Sequence, residues 1–545
     1  MKNGHRKSIA RARTIKDLCR TITYIQKALF VCLAIFTPAH ANDFTSHTFF
    51  VVRPPFQRVM PEKISLFYDR MEARDGGISS ALQVVPFGGK STNQKEMARF
   101  FLPFDKSEII AGEFNSSAIL DNTIDVIANY FGVLTRPVSE VFGGAAGFNV
   151  QNLTYQSRIA FNPTQSYWGF GLNYHQKIAS ADDEDKGFFL NVSVPIMAVK
   201  NDVGFCETVF NKGGGTQGLE VSEGFVGTIG QALAGGTVFG NKQFKYGKIS
   251  DARTKWGVAD IEVSLGHLHN QGNFFRMWYG GLILPTGNKP NGEYVFEPIV
   301  GNNHHFGVLF GGEMSYEMWS NQREDRSIWL VVSTITQFLF SNVQRRSLDL
   351  VDKQWSRYMW MYENQQATAS PYDITPGINV LTMNLRVTPR GAFTGTTSIV
   401  FTCDEGFIAE IGYNSWCRQS EEVELACPFD DQKAMIVGIN TADTTVFASE
   451  SSASINRYLL FQGLTINTNP STNQPELIRL KENDLDFRSA CQPYVISNIV
   501  YATFGYRWDN LNFPMLAGIG GSYEFSADNA GIQRWMLWGK WGMSY

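Results

Sequence analysis

Gln533-Arg534-Trp535-Met536-Leu537-Trp538-Gly539-Lys540-Trp541-Gly542-Met543-Ser544-Tyr545, the last thirteen residues of the chain, decide its fold class. Read at a period of two, one face carries Trp535, Leu537, Gly539, Trp541, Met543 and Tyr545. The other carries Arg534, Met536, Trp538, Lys540, Gly542 and Ser544. Successive side chains of a β-strand point to opposite faces, so this is a strand with one aromatic, apolar side and one mixed side. A terminal strand of a soluble sheet rarely shows such a face with nothing downstream to cover it. A strand in the wall of a membrane barrel requires one, because lipid covers it.

The same alternation recurs upstream. Leu511 to Phe525 sets Leu511, Phe513, Met515, Ala517, Ile519, Tyr523 and Phe525 against Asn512, Gly518, Gly520, Ser522 and Glu524. In Tyr167 to Ile178, Trp168, Phe170, Leu172 and Tyr174 alternate with Gly169, Gly171, Asn173, His175 and Lys177. His305 to Met318 and Phe188 to Ala198 repeat the pattern. Such runs are long enough to cross a bilayer at a tilt, which takes about 9–11 residues, whereas soluble strands average about 5–6. The connections alternate too. Tight turns are expected at 270–273, 320–326, 404–406 and 509–510, and long loops at 199–255, 286–303, 342–377 and 419–493. The expected fold is all-β, a transmembrane antiparallel barrel of about 14 strands (12–16) with long external loops. The expected strands are 78–87, 97–104, 150–161, 167–178, 188–198, 256–268, 274–285, 304–318, 327–341, 392–403, 407–418, 494–508, 511–525 and 532–545. Helical spacing is confined to 116–131 and to Val221–Leu233, where Ser222 is a candidate N-cap.

Composition agrees. Aromatic residues make up 13 % of the 545, with 41 Phe, 20 Tyr and 12 Trp, while charged residues reach only 18 %, against an average of about 25 %. No window of about 18 apolar residues could form a membrane helix. The N-terminus has the order of a secretory signal. Basic residues from Lys2 to Lys27 precede the short apolar run Ala28–Thr37, and Pro38-Ala39-His40-Ala41 offers small residues for cleavage before Asn42. Residues 1–41 are therefore read as a cleaved signal peptide, 42–77 as an N-terminal segment that could plug the lumen, and 78–545 as the barrel. Cleavage removes eight basic and one acidic residue from totals of 47 and 51, leaving a formal charge of −11. Nucleic acid is a poor partner for such a surface. The expected partners are outer-membrane lipid, the barrel-assembly machinery and a small-molecule solute of unknown identity, in the outer membrane of a Gram-negative-type envelope. No cofactor or metal motif is present. The five cysteines left, Cys206, Cys403, Cys417, Cys427 and Cys491, have no CxxC spacing. Cys427 and Cys491 share one external loop whose closure could remove roughly 4 kcal/mol of unfolded-chain entropy, so a Cys427–Cys491 disulfide is expected, with Cys417–Cys427 second.

The C-terminal strand also resembles the signal that outer-membrane insertion machinery recognises, so Trp535, Leu537, Trp541, Met543 and Tyr545 are read as the insertion strand. Residues 256–312 resemble the outer-membrane channels of phenol and aromatic-compound degradation, relatives of the long-chain fatty-acid transporters. The likeness rests on Gly257-Val258-Ala259-Asp260-Ile261-Glu262, on Leu284-Pro285-Thr286-Gly287 and on Gly301-Asn302-Asn303, where that family carries Gly-Asn-Gly. Gln344–Leu350, Ser356-Arg357-Tyr358 and Glu410–Asn414 are similar to large bacterial barrels without assigned activity. The channel resemblance implies about 14 strands, an N-terminal plug and passive uptake of small, hydrophobic solutes. Lys177, Asp260, Glu262, Glu313, Glu317, Glu410, Arg507 and Lys540 are the candidates for the lumen lining. Two other readings stay open. A structural or adhesive surface barrel would work through its 419–493 loop. An outer-membrane hydrolase would need His267, His269, His304 or His305, which no G-x-S-x-G or H-E-x-x-H motif accompanies.

Overall fold

The computed structural model describes residues 46–66, 79–112, 124–131, 133, 155–179, 186–212, 226–239, 242–323, 325–362, 374–403, 406–431, 435–436, 478–526 and 530–545. The expected signal segment, residues 67–77 and the middle of the 419–493 loop lie outside these.

Twelve antiparallel strands close a barrel. They are β1 (Ser79–Ser91), β2 (Thr164–Ala179), β3 (Lys186–Asp202), β4 (Ile261–Asn270), β5 (Phe274–Leu284), β6 (Gly307–Ser320), β7 (Arg326–Leu339), β8 (Arg390–Cys403), β9 (Phe407–Arg418), β10 (Val495–Trp508), β11 (Met515–Ser526) and β12 (Arg534–Ser544). Each pairs with the next in sequence, and β12 returns to β1 with Ala81 opposite Ser544 and Ser91 opposite Arg534. Closure leaves the wall without a free edge. A further strand, Arg253–Val258, pairs with the loop-end half of β3, whose other half pairs with β4, so Ala259 and Asp260 interrupt one long strand. The faces follow the alternation. Trp168, Phe310, Ile411, Ile519 and Leu537 are exposed on the outer wall, while Gln83, Asn173, Ser193 and Asn414 are buried inside.

Two of the fourteen expected strands are not in the wall. Residues 97–104 largely belong to a helix, Gln94–Phe101, which buries Met97, Ala98, Phe100 and Phe101 and exposes Lys95, Glu96 and Arg99. That is helical spacing, hidden in so short an apolar run. The expected strand 150–161 exists as Tyr155–Ala160 but joins a small sheet with Glu108–Gly112, Val126–Ile127 and Cys206–Lys212 outside the barrel. The short helix of the first long loop is Ile229–Leu233. Its N-cap is Thr228, whose side chain accepts from Gln231 N, in place of Ser222.

The two ends of the barrel differ. One is made of tight turns, including Gly406, whose φ of +93° and close approach to the Arg507 carbonyl leave no room for a Cβ. At the other end six connections fold into a cap with its own hydrophobic core, in which Phe100, Phe101, Phe131, Trp355 and Tyr358 are fully buried. Trp355 Nε1 donates to the Phe101 carbonyl at 2.9 Å. Two buried ion clusters lock the cap. Arg346 and Arg418 both reach Glu421, at 2.6 and 2.7 Å, and Arg357 reaches Asp349 at 2.6 Å. Burial pushes the Glu421 carboxyl up, but the two arginine charges override it and hold the group down at about 2. The expected Cys427–Cys491 disulfide is not formed. Cys491 is a thiol that donates to the Phe487 carbonyl at 3.2 Å at the end of a short helix packed on the cap core, whereas Cys427 is an exposed thiol just past the strand Glu422–Leu425. Local helical geometry, invisible in the spacing, sets where Cys491 points.

Candidate functional site

Inward positions on β-strands are polar here because a barrel of this size encloses more volume than side chains alone fill. In this chain a second segment fills it. Residues 46–52 lie in the cap, where Val51 N donates to Gln492 Oε1 at 2.8 Å and Thr48 Oγ1 to the Ser347 carbonyl at 2.7 Å. From Arg53 to Leu66 the chain lies among inward side chains of the wall, with a single turn of helix at Pro61–Ile64.

Polar contacts from many strands hold this segment. Asn414 Nδ2 and Thr396 Oγ1 donate to the Val59 carbonyl at 3.1 and 2.8 Å. Lys540 Nζ donates to the carbonyls of Lys63 and Ser65 at 2.9 and 2.7 Å. Glu410 accepts from Leu66 N at 2.9 Å and from Tyr501 OH at 2.8 Å. Arg534, paired with Glu524 at 2.6 Å, donates to the Arg53 carbonyl. Lys63 pairs with Glu262 at 3.3 Å, and the Arg58 guanidinium lies 4.1 Å from the Tyr279 ring centre. Each carbonyl taken up by the wall is a backbone acceptor that an irregular buried segment would otherwise leave unpaired. The apolar residues of the segment fit where the wall is bare. Phe56 lies against Gly171, where a Cβ would meet its ring at 2.2 Å, and Leu66 lies against Gly505 and Gly518.

Five buried cations (Arg53, Arg58, Lys63, Arg534, Lys540) thus meet five buried carboxylates (Glu62, Glu262, Glu313, Glu410, Glu524). Of the residues named from sequence, Glu262, Glu410 and Lys540 touch the segment directly, and Glu313 is buried and accepts from Ser333 Oγ at 3.0 Å. Lys177 and Glu317 are half-buried near the turn end, and Arg507 pairs there with Asp509 at 2.7 Å. Asp260 does not line the lumen. It sits at the break before β4 and clamps the following loop, accepting from Asn302 N at 2.6 Å and from Asn302 Nδ2 at 2.8 Å. Sequence reasoning missed Arg53, Arg58, Glu62 and Lys63, which lie outside any strand. It also missed Glu524 and Arg534, although both fall on inward faces and stand opposite each other in register.

The histidines occupy structural positions. His304 Nδ1 bonds the Gly287 carbonyl at 2.8 Å, and His305 Nδ1 bonds that of Phe340 at 2.8 Å while Gln344 contacts its Nε2. His267 packs edge-on to Phe188 on the outer wall.

No family model matches the chain, and no curated protein matches it. Among solved structures it is similar to an outer membrane channel from Pseudomonas putida F1, at 10 % identity and a TM-score of 0.36 over 87 % of this chain and 97 % of that one. A mutant of the monoaromatic hydrocarbon channel TodX is similar at 7 % identity and a TM-score of 0.33, over 89 % of this chain and 92 % of that one. The transport unit of the autotransporter AIDA-I from Escherichia coli follows at 7 % identity and 0.30, over 88 % and 94 %. Outer-membrane channels, the type that residues 256–312 resemble, are thus among the matched structures. The likeness is one of fold.

Proposed function

We propose that this chain is an outer-membrane channel that passes small solutes passively and is closed at rest by residues 46–66. The observation that carries this reading is the bonding of the lumen segment. It is held by polar side chains reaching backbone groups, and it leaves buried groups without a hydrogen-bond partner: all three guanidinium nitrogens of Arg53, Glu62 Oε2, Tyr167 OH and Trp538 Nε1. Each such group costs roughly 1–3 kcal/mol, so water entering the lumen offsets part of what is lost when the segment leaves. A purely structural filler would be served better by an apolar core. Hydrophobic solutes are the finer expectation, because aromatic side chains of the wall line the segment's seat at Phe87, Tyr167, Tyr501 and Trp538. The reading also places outer-membrane lipid around the wall, the turn end in the periplasm, and the assembly machinery on Trp535–Tyr545.

Planar-bilayer recording of the refolded mature chain tests it. Brief openings are expected, becoming longer in a Glu410→Gln, Lys540→Met variant whose lumen segment has lost two anchors. A variant that runs as a folded barrel on a gel yet never conducts would leave the second reading, a surface scaffold or adhesin. That reading draws on the cap, which is large enough to carry its own core.

A further inference from the structure

The strand registers set six outward residues side by side near the loop end: Tyr523, Trp535, Lys90, Ser166, Lys200 and Thr254. One row nearer the membrane centre, Leu537, Gly88, Trp168, Ala198 and Trp256 stand in the same order. The two tryptophan rings meet edge to face over Ala198 at 4.3 Å. Tryptophans at a barrel's rim lie at the level of lipid headgroups. Lys90 and Lys200 therefore emerge just above that level, both exposed, and neither makes an ion pair among the described residues. Their strands are separated only by β2, so their Cα atoms lie about 10 Å apart, within reach of one shared anion between two flexible side chains. The nearest acidic residue on β3, Asp202, already accepts from Gly204 N at 2.8 Å. Two cations flanked by the hydroxyl residues Ser166 and Thr254, over an aromatic floor, match a phosphate carried on acyl chains.

We infer that Lys90 and Lys200 form a lipid-binding site on the outer wall for the phosphate monoester headgroup of a lipid in the leaflet at the loop end. A monoester matches the two ammonium charges better than a diester, which carries one. Below the phosphate, the glycine at position 88 leaves a shallow notch between Leu537 and Trp168, against which an acyl chain can lie. The site needs only the wall to stand in a membrane, so it holds whether or not the lumen conducts.

Native mass spectrometry of the full mature chain in detergent decides it, with a bisphosphorylated acyl-disaccharide lipid, its dephosphorylated form and inorganic phosphate as probes. The phosphorylated lipid should be retained. K90Q/K200Q should weaken retention roughly 30-fold, the loss of two basic side chains at an anionic lipid surface, and K90R/K200R should restore it. Equal retention of the dephosphorylated lipid by the unaltered chain would overturn the site even if the glutamine variant failed to fold. So would undiminished binding by a folded K90Q/K200Q barrel. Displacement of the lipid by millimolar inorganic phosphate would assign the lysines to free phosphate and also defeat the inference.

Discussion

At His305 a single ring shows how burial turns into pH dependence. It is fully buried between the Phe340 carbonyl and Gln344, and burial drives its pKa down to about 4. The unfolded ring protonates near its ordinary 6.5, so its neutral native form contributes stability that is complete above that pH and is lost as pH falls through 6.5 to about 4. The full effect is about 3 kcal/mol. Glu421 adds a second, lower window. Its carboxylate stays charged between Arg346 and Arg418, so its stabilisation is lost between its ordinary 4.5 and about 2. Hydrogen exchange of the cap against pH should show loosening that begins near pH 6.5. His305→Gln should flatten the upper window and leave the lower one. Glu421→Ala should destabilise the cap by about 3–5 kcal/mol at neutral pH, because two arginines are left buried without their partner. Gly171 tests the lumen at the same scale. Gly171→Leu drives a side chain into the space of the Phe56 ring, so the segment must shift while the outer wall is untouched. Bilayer recording should find more frequent openings, in a barrel that still migrates as folded.

At the scale of the element, β12 carries the assembly prediction. Trp541 and Tyr545 face outward. A charge on the lipid face costs up to ~2–4 kcal/mol at the midplane for basic residues and less for acidic ones. Trp541→Asp with Tyr545→Asp should therefore reduce surface levels of the protein sharply, and quantitative immunoblotting of outer-membrane fractions would show normal levels if the strand played no part in insertion. β1 and β12 depend on each other in closing the wall, and Pro86 lies in their seam, where the register between Val84–Trp541 and Phe87–Trp538 skips two positions. A proline lacks the N–H for that ladder bond. Its ring faces outward and is exposed, so the strand keeps its alternation across the seam.

For the whole molecule, closure dominates the energetics. Every strand of the barrel has two neighbours, so separating any one of them exposes two rows of backbone groups to lipid. The mature chain should accordingly be heat-modifiable, migrating differently on a gel when boiled than when kept in mild detergent. Identical migration would contradict a closed wall. The cap and the lumen segment are joined through residues 46–66, which bond to the cap at one end and to the wall at the other. Acid loosening of the cap is thus expected to precede any change in the heat-modifiable barrel.

The wall was legible residue by residue, and the reason is geometric. Alternation is a local property with a period of two, and lipid imposes it strand after strand, so Trp535 to Tyr545 announce their faces with no knowledge of their neighbours. Inward Glu262, Glu410 and Lys540 followed from the same parity. What lies off the strands depends on non-local packing. Arg58 and Lys63 carry no pattern of their own, and only the closed wall brings Tyr279 and Glu262 to meet them. Asp260 has the right parity for the lumen, but the break in its strand turns it onto Asn302. Met97 and Phe100 looked like strand residues because eight residues are too few to separate a helix from a strand by period. The sequence alone determined that the chain makes an alternating, aromatic-faced barrel wall. Tertiary structure alone decided that twelve strands close it, which residues of the N-terminal segment enter its interior and that six loops share a core, because each of these is settled by contacts between residues far apart in the chain.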